Sequence, residues 1–474
     1  MKILWRIIRH DWRNLNADRS LLVFYVLCLA LVAYGIYNGK AQTLKHHRIA
    51  ARLAPAMENQ INEWQRQLLV GLKVSPDPAN PYAISAQRQE VVLPPAPLAL
   101  LSTGQSDLYP INAKAYMWSS FGVMWAKSEL QNPVNLQAGR FDLAFVVVWL
   151  FPLLILALSH NLLSAEREDG TLALLLSQPI SLLQVILGKA IARGVAAIGG
   201  FIVIGWAGLL LAGVRLTSLK IGGGLLVWAA LVASYGLFWL ALAVLVNQFQ
   251  HGSARNALTL AGAWVLLVFV APSLIGSLAA ARYPIPPRAE LIIADREAEP
   301  NTDRDGESAL ATFRRENPTL QPAAPTIEIS ERRRQLLAVF LKNNRAFERA
   351  ARRYDDQLTG QQQLVNRLSF FSPPIVLQAT LNDLAGTGFN RFSRFRAQVW
   401  QWVEGQRAFF IPRIMRGERL TGVDYEQLPR FRFAEAGLAQ TIQPLLSNLG
   451  SLGTSILLLL LVALRRLKSS KSSV

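Results

Sequence analysis

Ser20–Tyr37 reads SLLVFYVLCLALVAYGIY, an unbroken apolar run with no charged residue. A helix needs roughly 20 such residues to cross a ~30 Å hydrocarbon core, whereas a helix on a soluble core keeps one face wet. Working outward, the same texture recurs at 142–159, 190–214, 224–246, 257–279 and 446–464. Lipid offers the backbone no hydrogen-bond partner, so each block is expected to be helical. The chain therefore reads as a mainly α polytopic membrane protein with six transmembrane helices. Its 51% hydrophobic content and positive mean hydropathy of +0.25 agree.

Basic residues set the expected orientation. Lys2, Arg6, Arg9, Arg13 and Arg19 precede the first span, and Arg465, Arg466, Lys468 and Lys471 follow the last, in the tail 465–474. Both termini are expected on the cytoplasmic side of the membrane, and the first span is expected to act as an uncleaved signal anchor. Arg215 and Lys220, in a short outer loop, run against this rule. Residues 1–19 carry a further pattern. Leu4, Trp5, Ile7, Ile8, Trp12 and Leu15 share one arc of a helical wheel, with Lys2, Arg6, Arg9, His10 and Arg13 opposite and Asp11 out of place. That is a helix lying in the membrane interface, with Trp5, Arg6, Arg9, Trp12 and Arg13 as its interfacial residues.

Two long water-facing segments remain, 38–141 and 280–445, both expected on the outer side of the membrane. Together they are large enough to build one mostly helical domain. The first begins helically and turns proline-rich from Pro76 to Pro97, which favours extended or turning backbone. In the second, a helix over about 326–370 places Leu336, Phe340, Phe347, Ala351 and Tyr354 on one face. The basic residues Arg332–Arg334, Arg349, Arg352 and Arg353 read as a solvated face salt-bridged to Glu348, Asp355 and Asp356. Trp400 and Trp402 read as packing residues.

Several classes are excluded or disfavoured. The formal charge of +18 does not mean nucleic acid, because the surplus sits beside spans, where lipid headgroups are the natural partner. Cys28 is the only cysteine, so no disulfide or thiolate cluster forms within the chain. The histidines form no ligand set, and no metal site is expected. There is no Gly-Lys-Ser/Thr phosphate loop, so ATP hydrolysis by that route belongs to another chain.

The segment 160–189 is the most specific. Glu166, Arg167, Glu168 and Asp169 end one helix, Gly170 permits a reversal, and Thr171 can cap a new short helix. That helix is apolar through Leu172, Leu175 and Leu176, and Pro179 ends it before Gly188-Lys189. An apolar helix held at a membrane surface by acidic residues suits docking into a partner.

This run resembles the ABC-2 type transporter permeases, through Glu166, Gly170, Thr171, Leu172, Leu175, Leu176, Pro179, Gly188 and Lys189. The segments at Gly104–Pro110, Phe141–Phe145 and Asp383–Gly388 look like a bacterial branch of that family with large periplasmic insertions. The resemblance implies that 160–189 is a coupling helix seated on a separate ATPase subunit, and that 1–19 is an elbow helix. It also implies two permease subunits, identical or sister chains, with no cofactor on this chain and ATP and Mg on the ATPase.

Three functions stay open on the sequence: an exporter permease, a force transmitter acting on a periplasmic partner without moving a substrate, and a membrane enzyme acting through the outer domain. The first is preferred. The chain is not read as an enzyme.

Overall fold

The computed structural model describes residues 2–470, apart from 105–109, 121–139, 179, 217, 250, 288–289, 291–292, 294–301 and 322–324. Pro179 and most of the Gly104–Pro110 segment therefore lie outside the described residues. Among the described residues, six helical stretches are long and apolar enough to cross a membrane: Ser20–Val70, Leu143–Glu168, Leu182–Leu211, Leu219–Asn247, Ser253–Arg282 and Gln443–Arg466. They are numbered here as the first to sixth spans.

The fourth span is the axis of the bundle. Trp228, Leu231, Tyr235 and Trp239 are fully buried along it, and Tyr235 donates its hydroxyl proton to the Val148 carbonyl of the second span at 2.9 Å. Close approach depends on a missing side chain: a Cβ on Gly205 of the third span would lie 2.3 Å from the Trp228 ring. The second and fifth spans each widen into a π turn, at Val146–Leu150 and Leu266–Val270, just ahead of Pro152 and Pro272. Proline lacks an N–H and crowds the carbonyl four residues back, and one wide turn relieves both.

Before the first span runs α1 (Lys2–Ala17). The first span itself is the start of α2 (Ser20–Val70), one helix of 51 residues that leaves the bundle and continues into the domain beyond it. The sequence suggested a break near Asn38 and a separate helix. Instead Gly39 lies so close to the Leu100 carbonyl that a Cβ would be 2.7 Å from its oxygen, so this glycine serves close packing and not a turn.

The domain has its own core, drawn from both long segments. Met57, Ile61, Trp64, Ile84 and Val91 come from the first, and Leu310, Leu337, Phe395, Val399, Trp402 and Ile414 from the second. A two-stranded antiparallel sheet pairs β1 (Gln89–Val92) with β2 (Asn112–Ala115) in the register Gln89↔Ala115. The long helices of the domain are α3 (Glu331–Leu368) and α5 (Phe389–Arg416). Of the basic clusters, Arg352 pairs with Glu348 at 3.7 Å and Arg334 with Glu331 at 3.5 Å, whereas Asp355, expected to serve the same helix, pairs with Arg396 of α5 at 2.7 Å. Buried Arg407 lies over Trp400 and donates to the carbonyls of Met117 and Ser119.

Between α3 and α5 sits α4 (Pro373–Ala385). It was read with the outer domain, yet its Val376, Leu377, Leu381 and Ala385 belong to the core of the membrane bundle. Thr380 accepts a hydrogen bond from Asn448 of the sixth span at 2.9 Å. Too short to cross a membrane, α4 enters the bundle from the domain side. Around it the segments singled out in the sequence converge. Asp142 caps the second span by accepting from Phe145 N–H and also accepts from Thr103 N–H, at 2.7 and 2.6 Å. A Cβ on Gly104 would meet the Thr387 hydroxyl at 2.5 Å.

Candidate functional site

The other end of the bundle carries the 160–189 segment, α1, the loop between the fourth and fifth spans, and the end of the sixth span, whose Arg466 lies over the Phe249 ring at 3.9 Å. The third span begins at Leu182, earlier than its apolar block, because Ser181 and Gln184 form a capping box. This puts Gly188, Lys189 and Arg193 on a regular helix inside the bundle.

Packing of α1 against that helix rests on Gly188. A Cβ there would sit 2.6 Å from Ile7 Cγ2. Asp11, the misplaced acid of the wheel, is buried and paired with buried Arg193, Nε to Oδ2 at 3.2 Å. Arg193 also donates to the Leu158 carbonyl and to Asn161 Oδ1, both at 2.5 Å. Arg193 does not reach out to water; it is buried and paired inward, which repays its desolvation. The apolar arc of α1 divides accordingly: Ile7 packs on the third span and Leu15 is buried in the bundle core, while Trp5 and Trp12 are exposed, as are Arg6, Arg9 and Arg13.

Two carboxylates of the motif are engaged, each with a different span. Glu166 pairs with Lys189 of the third span, both largely buried. Glu168 accepts from the Ser253 N–H at 2.6 Å and from its hydroxyl at 2.8 Å, at the N-terminus of the fifth span. A carboxylate there satisfies an orphan helix donor. The sequence carried no warning of this contact, nor of Asn247, which accepts from the Leu163 N–H and donates to the Ser159 carbonyl. Lys189 and Arg193, four residues apart at one end of an apolar stretch, were the available signal, since intramembrane cations need partners.

Past Glu168 the chain turns outward. Asp169 and Gly170 are exposed, and Gly170 has φ +70°, a conformation that costs most side chains about 1–2 kcal/mol. Thr171 bonds its hydroxyl back to the Glu166 carbonyl at 3.2 Å. The short helix Thr171–Leu176 follows. Leu172 and Leu175 are half-buried, Leu174 is 70% exposed, and Arg167 is half-buried beside them in the chain. The arrangement is a small apolar protrusion whose root is clamped to two spans.

The sequence model of the ABC-2 family transporter proteins matches residues 5–471. The chain belongs to the ABC-2 transporter family. Over 163 residues it is also 33% identical to the probable ABC transporter permease protein NosY of Stutzerimonas stutzeri. That match covers 31% of this chain and 56% of NosY, so the chain spans little more than half the length of this curated relative. With its six spans, this ABC-2 family member is a multi-pass membrane protein of permease type.

Proposed function

We propose that the chain is the transmembrane subunit of an ATP-binding cassette exporter in a bacterial inner membrane. Both termini and the Glu166 face lie in the cytoplasm, and the α2/α3/α5 domain lies in the periplasm. A separate ATPase binds ATP and Mg, docks on Thr171–Leu176, and drives the spans through Glu166–Lys189 and Glu168–Ser253. A second permease subunit completes the pathway. The observation that carries this reading is the exposed apolar helix on a root held by two ionic or charge-assisted clamps. Such a root passes a push into the third and fifth spans, where a loose loop would absorb it.

One observation favours force transmission as the second reading. The unbroken α2 joins the bundle to the domain with no hinge at the membrane surface, so the periplasmic domain can carry motion to a partner. Purification of the tagged chain in mild detergent from its host, with mass spectrometry of partners and an ATPase assay, tests the first step. A co-purifying ATPase that is lost in Glu166→Ala/Gly170→Pro supports coupling through this segment. A folded chain without any ATPase partner overturns it. Substrate flux in vesicles then separates export from force transmission.

A further inference from the structure

The chain from Gln361 to Ala385 forms a hairpin that descends alongside the fifth span and returns as α4. Its upper mark is Gln361, whose side chain donates to the Tyr283 carbonyl at 2.7 Å, just past the end of that span. Its lower mark is Ser372, whose hydroxyl reaches the Leu267 carbonyl at 3.3 Å, midway along Ser253–Arg282. At 1.5 Å per residue the descent covers roughly 16 Å. The last turns of α3 therefore lie at membrane depth, and the returning α4 is part of the bundle core.

The side of α3 turned away from the fifth span is polar at this depth. Asp356, Thr359, Gln363, Asn366 and Arg367 fall on one face of the helix and are exposed; below them Phe370 and Phe371 are 39% and 70% exposed. Gln362 donates to Asn366 at 2.9 Å, and Arg367 has no partner among the described residues. Below Asp356 this face holds no acid. Hydrocarbon is a poor environment for a guanidinium beside two amides, and membrane proteins turn such groups toward water-filled cavities.

We propose that Gln363, Asn366 and Arg367 line a hydrated passage on the outer side of the bundle that receives anionic groups. The inference rests on the permease reading and adds to it a cargo chemistry: a solute carrying a carboxylate, phosphate or sulfonate. Arg367 supplies the charge, Gln363 and Asn366 supply amide hydrogen bonds, and Phe370 and Phe371 close the floor. An outer-leaflet lipid phosphate offers Arg367 the same chemistry, so the test separates the two sources.

Cys28, the one native thiol, is buried and is replaced by Ala. Single cysteines are placed at Gln363 and Asn366, with Leu29, an exposed apolar residue of the first span, as the lipid-facing control. The purified chain, without ATPase, is set in nanodiscs of phosphatidylcholine or of phosphatidylglycerol. It is then labelled with negatively charged sulfonatoethyl or positively charged trimethylammonioethyl methanethiosulfonate. The expected result is modification at 363 and 366 but not at 29, with the anionic reagent faster by roughly tenfold than a neutral-field ratio would give. Arg367→Gln abolishes that preference, and the preference persists in both lipids. Three outcomes overturn the proposal: unreactive cysteines at 363 and 366, a ratio of the two rates equal to that of a free thiol in solution, or a preference that vanishes in phosphatidylglycerol, which assigns Arg367 to lipid phosphate. Because no ATPase is present, failure here leaves the coupling assay intact.

Discussion

Asp11 and Arg193, 182 residues apart in the chain, meet as a buried ion pair and fasten the N-terminal helix to the third span. Removing one partner leaves a buried charge without compensation, which costs about 3–5 kcal/mol, whereas replacing both by apolar residues is often neutral. Arg193→Met and Asp11→Leu are each expected to lower the unfolding midpoint in detergent, and the double variant is expected to recover most of the loss. A thermal-shift double-mutant cycle measures this; additive losses would show the pair to be incidental.

Gly188 sets the distance between the same two helices. Gly188→Val is expected to lift α1 off the bundle, because its Cβ would lie 2.6 Å from Ile7. Ile7→Ala makes room, so it should restore docking in the Gly188→Val background. Hydrogen exchange over residues 2–17 reads the result: fast in the single variant, slow again in the pair.

Glu168 ties the motif to the fifth span through the Ser253 N–H and hydroxyl. Glu168→Gln keeps a hydrogen-bond acceptor but removes the charge, and is expected to cost about 1 kcal/mol locally. Exchange of the first amides of the fifth span should quicken in this variant while those of the third span hold steady. If ATPase coupling depends on the clamp, stimulation of the partner falls in Glu168→Gln with ATPase binding retained. Unchanged exchange at 253–256 would show the contact to be dispensable.

Asp383, at the end of α4, accepts from Asn390 at 3.1 Å, and burial pushes its carboxyl up to about 6. An acid whose pKa is raised on folding stabilises the fold fully below its unfolded value near 3.9, and that contribution is lost as pH rises through 6. The α4–α5 junction is therefore expected to be more stable at pH 5 than at pH 7, by at most about 1.4 kcal/mol for each pH unit crossed within this window. Asp383→Asn should flatten that dependence. Identical pH profiles for the wild type and the variant would refute it.

The spans were legible because a six-fold repeat of long apolar runs admits one physical reading. The motif at Glu166–Pro179 was legible as a surface helix because acids, glycine and a leucine run carry local signals. What escaped depends on partners far along the chain. Asp11 looked like an error in an amphipathic pattern, since nothing local points to Arg193. The first span was ended at Tyr37, and nothing local shows that Gly39 continues the helix to meet the Leu100 carbonyl, which lies far along the chain. The stretch that forms α4 was placed in the second water-facing segment; its burial comes from the second, fourth, fifth and sixth spans closing around it.

The domain core that unites Met57, Ile61 and Trp64 with Phe395, Trp402 and Leu428 also orders events during synthesis. The first of these groups leaves the ribosome early, but its packing partners follow only after five spans have been made. At 5–20 residues per second the interval is about 20–70 s. Throughout it, an incomplete apolar surface waits beyond the membrane for the second half of the chain. A cell making this protein must shield that surface, so slowed insertion of the fifth span should be felt first as aggregation or proteolysis of the far domain.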